Sequence, residues 1–197
     1  MEKIGLLLFL PLLVVALNPY EEEIITNRWK NTGWLWCDLI EVTIKGFAVR
    51  TGFRLPDQEI EELTVLWEKN LPEYQFAASF PTNGTFAEIG HRRFDAFKTG
   101  ICQLYNTKHK LINLVAKKFA PTAADKDMIL KYTKELSLGG TITLLRKVFI
   151  HRSRNEWLEI ESHFQDHEFF TFKTTRSGLN CFPYLPKIHV DNSLPIN

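Results

Sequence analysis

The sequence predicts an α+β fold, a curved antiparallel sheet covered on its apolar face by helices. Three observations predict it. Apolar and polar residues alternate over 92–106 and again over 141–175, the period of strands. Apolar residues recur at steps of three and four over 58–70 and 107–119, the period of helices. Hydrophobic residues make up 45% and aromatic residues 13% of the chain, enough to fill a core without a disulfide framework. An all-α secreted bundle is the alternative, and the segment 141–175 decides between the two.

The chain opens on an apolar run, Ile4 to Leu17 (IGLLLFLPLLVVAL), behind Lys3. Its anatomy is that of a secretory signal: a basic start, an apolar centre and small residues at Val14 and Ala16, placing cleavage after Ala16. As a helix the run reaches roughly 21 Å, short of the roughly 30 Å hydrocarbon core of a bilayer. The organisation that follows is a signal peptide over 1–16, one domain over 17–185 and a loose tail over 186–197 with two prolines. Export puts the three cysteines, Cys37, Cys102 and Cys181, in an oxidising compartment. One pair is expected to bridge, and all three pairings are open. Asn83-Gly84-Thr85 is an N-glycosylation acceptor in a turn-rich stretch.

The elements follow in order. Glu21 to Asn31 can start a helix. Trp34 to Ile44 carries both strand-forming residues and a helical side (Leu35, Leu39, Val42, Gly46), so its class is open. Asp57 is set to cap a helix over 58–70, with Ile60, Leu63, Leu66 and Trp67 on one stripe and acids in its first turn. Arg92 to Asn106 fits a hairpin turning at Gly100. Thr107 to Phe119 is helical and stops at Pro121. Asp125 to Leu136 is a short helix closed by Gly139-Gly140. Strands are then expected over 141–151, 157–164, 169–175 and 180–185, with turns at Arg152–Asn155 and Gln165–His167.

Composition excludes several classes. A net charge of +1 gives no general electrostatic grip on nucleic acid. The basic residues Lys108, His109, Lys110, Lys117 and Lys118 fit the solvated face of a helix. No stretch after the leader spans a membrane. Nucleophile-elbow, phosphate-loop, dinucleotide and zinc signatures are absent, so neither cofactor nor metal is expected.

One segment carries a resemblance. Phe94, Phe97, Gly100, Cys102, Tyr105 and Lys108, followed by an apolar helix and later by Ser177-Gly178 and Cys181, resemble the small secreted NTF2-like (cystatin-like cone) domains of nematodes over roughly residues 90–182. The resemblance implies a cone-shaped sheet and a Cys102–Cys181 bridge.

The functional expectation is a secreted, soluble, non-enzymatic protein. It binds a partner protein or a small apolar ligand in the sheet's concavity, lined by Phe94, Phe97, Ile142, Leu144, Ile160 and Phe170. Two alternatives stand beside it. One is a small secreted enzyme using a His/carboxylate pair, with Glu161 and His163 two residues apart on a strand, or Asp95, as the candidate groups. The other is a helical secreted signalling protein. Trp29, Trp34 and Trp36 fit core packing better than a ligand surface, having no polar orienting group beside them.

Overall fold

Nine helices account for the secondary structure of the described residues, which in the computed structural model are 17–27, 39–120 and 122–164. Helix α1 is Pro19–Thr26. Its capping box is complete: Asn18 Oδ1 accepts from the Glu21 amide, and a Glu21 carboxylate oxygen accepts from the Asn18 amide, both at 3.0 Å. Helix α2, Ile40–Arg50, buries Ile40, Thr43, Ile44, Phe47 and Ala48, a stripe stepped at three, one, three and one. That settles the open segment: from residue 40 it is helix, and its inward face is not the Leu39/Val42/Gly46 side. Helix α3, Asp57–Glu68, buries the expected Ile60, Leu63, Leu66 and Trp67. Asp57 is its first residue, and its carboxylate reaches across to Lys45 Nζ at 2.9 Å and does not cap.

Two short helices follow, α4 (Glu73–Ala78) and α5 (Thr85–Glu88). Gly84 starts α5 at φ 57°, a left-handed conformation. The Thr85 amide there donates to Glu59 Oε1 at 2.8 Å, so α3 supplies the missing cap.

Helix α6, His91–Phe119, is the axis of the molecule. It buries Phe97, Gly100, Ile101, Leu104, Tyr105, Lys108, Leu111, Ile112, Val115, Ala116 and Phe119. These are steps of three and one, the helical period, so 92–106 is not a hairpin. Over twelve residues a helical stripe and an alternation share many positions, and Gly100 is an interior helical residue rather than a turn. Helix α7 (Ala123–Thr133) is capped by Thr122, whose hydroxyl accepts from the Asp125 amide at 3.1 Å. Helix α8 (Leu138–Val148) is capped by Ser137, and α9 (Arg154–Ser162) by Ser153 with Glu156 in a second capping box. Gly139 and Gly140 therefore lie in the first turn of α8 and do not close the preceding helix.

The α+β reading is overturned. Among the described residues there is no strand, only one isolated antiparallel bridge between Leu39 and Leu136. The segment 141–164 forms two helices, as the all-α alternative requires, joined by a turn at 149–153; of the turn expected at Arg152–Asn155, the last two residues already belong to α9. Ile142, Leu144 and Val148 are buried, but so are Thr141 and Leu145, which a strand would have turned outward. With no sheet among the described residues there is nothing to form the cone, and the NTF2-like resemblance is corrected with it. The strands expected at 169–175 and 180–185 lie outside the described residues.

Helix α6 packs against α2, α4, α7, α8 and α9, while α1 lies against α7 and α8, and α2 pairs with α3. Two aromatic groups fill the spaces. Phe76 stacks on Tyr105 at 3.8 Å, with Trp67 edge-on to both. Phe119 lies 5.1 Å from Phe149 and 5.3 Å from Trp157.

Candidate functional site

The outward face of α6 borders a groove of about 570 Å³, closed by Glu73 at one end and by Phe164, just past α9. Residues 103, 107, 110, 114 and 117 follow one another at steps of four and three, so they share one side of the helix. From Gln103 to Lys117 the groove runs about 21 Å. Its walls carry the side-chain amides of Gln103, Asn106 and Asn113 and the hydroxyl of Thr107. Lys110 and Lys117 supply positive charge, and Leu114 with Phe164 supplies an apolar floor. Lys110 Nζ donates to the His163 carbonyl at 2.8 Å and lies 4.9 Å from the Phe164 ring centre. Asn106 Oδ1 is buried and, among the described residues, accepts no hydrogen bond.

Two further hollows carry less. One of about 600 Å³, at the start of α6, is lined by Arg54, Arg92 and Arg93. Its charges are partly engaged: Arg93 Nη1 donates to the Gly52 carbonyl at 3.4 Å, and His91 pairs with Asp95 at 3.3 Å. The other, about 280 Å³, lies beside Lys108.

Lys108 has a structural task. It is 3% exposed, and its Nζ donates to the carbonyls of Thr133, Lys134 and Leu136 at 2.7, 3.2 and 2.7 Å. It thus caps the C-terminus of α7 and holds the turn into α8 against α6. Burial pushes its ammonium down to about 7, with Glu68 acting against that fall. Burial and the neighbouring Lys108 lower His109 to about 4, so its ring is neutral where it lies 4.2 Å from Tyr105. Burial, then Glu73, raises the Tyr105 phenol to about 12, and its hydroxyl donates to the Leu71 carbonyl. A charge pair joins α1 to the turn before α9: Arg152 Nε and Nη2 donate to the two carboxylate oxygens of the buried Glu21 at 2.6 and 2.7 Å.

The sequence-derived site residues are scattered. Phe97, Ile142, Leu144 and Ile160 are core residues, Phe94 packs half-buried against that core, and Phe170 lies outside the described residues. None of the described five lines the α6 groove. Glu161 and His163 sit on and just past α9, where a separation of two puts them on different sides. Glu161 pairs with Arg146, and His163 is exposed. Asp95 is exposed on α6 beside His91. Asn83 is exposed at the bend before α5. Cys102 is a free, half-buried thiol on α6, raised by burial with Lys98 partly offsetting. Cys37, Cys181, Trp29, Trp34 and Trp36 lie outside the described residues, and the Cys102–Cys181 bridge no longer has a cone fold to imply it.

The solvated face expected for the basic residues does not hold for Lys108; the signal against it was its place three residues from Tyr105 and four from Leu104, on the apolar stripe itself. The groove's amides gave no such signal, because polar residues on an outer helical face are ordinary. Among the described residues no group of His, Cys, Asp and Glu could hold a metal ion, and no helix is long and apolar enough to cross a membrane. No family model, curated protein or solved structure matches the chain.

Proposed function

We propose that this chain is an exported, non-catalytic helical protein that binds an extended segment of a partner polypeptide along α6. The groove carries the reading. Its amides at 103, 106 and 113 can both donate to and accept from a peptide backbone, above an apolar floor at Leu114 and Phe164. Asn106 Oδ1 is a buried acceptor awaiting a donor, which a passing backbone N–H supplies. Catalysis gains no support there. The lining residues include one carboxylate, Glu73, two lysines, and neither histidine nor cysteine. The apolar ligand expected in a sheet concavity goes with the sheet.

Export rests on the leader. Cleavage after Ala16 leaves Leu17, a core residue, and the Asn18 capping box of α1 whole. Expression in a secretory cell tests it: the medium should contain a chain beginning at Leu17 with a glycan on Asn83. Retention of residues 1–16 in a cytosolic product refutes it. For the groove, peptides selected from a random library on the mature protein should lose binding to Asn106→Ala and Asn113→Ala and keep it to Lys69→Ala. Peptides indifferent to both groove substitutions remove the reading.

A further inference from the structure

The two ends of the groove carry opposite charge, and α6 fixes the distance between them. At one end stands Glu73, the first residue of α4, exposed. It lies level with Tyr105. The Tyr105 hydroxyl donates to the Leu71 carbonyl two residues before it, and burial and then the Glu73 carboxylate raise the phenol. At the other end stands Lys117, also exposed. From the level of Tyr105 to Lys117 is about 18 Å along the helix axis. Lys110 stands between them, held against the His163 carbonyl and the Phe164 ring, and its charge adds to that of Lys117. The apolar floor is not central. Leu114 lies about 13.5 Å from the level of Tyr105 and about 4.5 Å from Lys117.

An extended polypeptide advances about 3.3 Å per residue and turns alternate side chains to the same side. Counted from the Glu73 end, its first, fifth and seventh side chains therefore face the groove together. With the first at Glu73, the fifth lies about 13 Å on, over Leu114 and Phe164, and the seventh about 20 Å on, at Lys117. We propose that the groove selects a partner segment with a basic residue at the first of these positions, an apolar residue at the fifth and an acidic residue at the seventh. The inference rests on the reading of the groove as a polypeptide site and adds the class of sequence it takes. The amides of Asn106 and Asn113 meet the partner's backbone, which every sequence shares, so they do not discriminate. Discrimination comes from the ends. A segment with its two charges exchanged sets an acid against Glu73 and a base against Lys117, and like charges facing each other select against it. The groove thus responds to the order of charges in its partner and not to their sum.

The test selects peptides from a random library on the exported chain and keeps those that require Asn106 and Asn113. Read in either chain direction, these should carry a base four positions from an apolar residue and an acid two positions beyond it. Fluorescence anisotropy then measures their binding to Glu73→Lys and to Lys117→Glu, both changes at exposed positions. Each should weaken binding about five-fold, the upper worth of an exposed ion pair. Reversing the peptide's base should repair the loss at Glu73→Lys, and reversing its acid the loss at Lys117→Glu, with neither repairing the other. Selected peptides without that order, or losses that the matched reversal does not repair, overturn this inference and leave the groove a polypeptide site. A library that yields no peptide dependent on Asn106 and Asn113 removes that reading, and this inference with it.

Discussion

Replacing Lys108 by Met removes the ammonium and keeps the length of its apolar stem. Two effects oppose each other. The amine's bonds to the Lys134 and Leu136 carbonyls are lost, while the Thr133 carbonyl keeps a second donor, the Leu136 amide at 3.0 Å. Two orphaned carbonyls cost about 1–3 kcal/mol each. Against this stands the burial of the charge. The group falls from 10.5 to about 7 on folding. Because the folded pKa is the lower one, the unfolded chain holds a proton that the folded one lacks between those values, so the wild type gains stability as pH rises. That contribution is complete above 10.5 and lost as pH falls through 7. Between pH 7 and pH 10 the gain is about 3.5 kcal/mol, at 1.36 kcal/mol per pKa unit. The wild type should therefore exceed Lys108→Met by about 2–4 kcal/mol at pH 10 and match or fall below it at pH 7. Urea unfolding of both proteins, followed by circular dichroism across that range, reads the difference, in which every other titrating group cancels. A gap that stays flat with pH refutes the reasoning. It would mean that the three carbonyls and the α7 dipole keep the ammonium charged inside the fold.

The Glu21–Arg152 pair is bidentate and its carboxylate is buried, so Arg152→Met should cost about 3–5 kcal/mol in urea unfolding by stranding the carboxylate. Adding Glu21→Gln should recover part of that loss. Gly84→Ala should destabilise by about 1–3 kcal/mol in thermal denaturation, since a Cβ there would collide with Glu59 Oε1 on a backbone at φ 57°. Gly90→Ala, at φ 75° with nothing within 4 Å, should cost only the backbone strain of about 1–2 kcal/mol. Ile142→Ala should lose about 2–5 kcal/mol by leaving a cavity between α8 and α6. A loss below 1 kcal/mol would mark residue 142 as lining an open pocket rather than the core.

The inward face of helix α3 was legible because its four apolar positions fit only the helical period and its first turn is acidic, although Asp57 pairs with Lys45 instead of capping. Helix α6 was legible only in its second half. Over 94–105, Phe94, Ile101 and Tyr105 satisfy an alternation as well as a helical stripe, and Gly100 looks like a turn when its burial is unseen. Only by joining 97, 101, 104, 108, 111 and 115 into one pattern of threes and fours does the 29-residue helix appear, and Lys108 interrupts that pattern for a reader who expects lysines outside. Helix α8 carries the β-branched run Thr141-Ile142-Thr143, which local preference assigns to a strand. Ser137 at its N-cap and burial on α6 decide otherwise. The candidate groove was not legible at all, because it is made by the arrival of Phe164 beside α6, a contact more than fifty residues apart in the chain.

One helix thus carries two kinds of residue on opposite sides, and this separates what mutations should do. The inner side of α6 spends its polar groups on the fold: Lys108 caps α7, and Tyr105 holds the turn between α3 and α4 through the Leu71 carbonyl. The outer side leaves Gln103, Asn113 and Lys117 exposed, and at its boundary the buried Asn106 acceptor has no donor among the described residues. A polar atom buried at a groove edge without a donor costs about 1–3 kcal/mol if nothing fills it. Folding alone would favour an apolar residue there, so retaining an amide fits a position used by something that enters the groove. Asn106→Leu should then raise the stability of the isolated protein and abolish peptide binding together, a pairing that a purely structural asparagine would not produce.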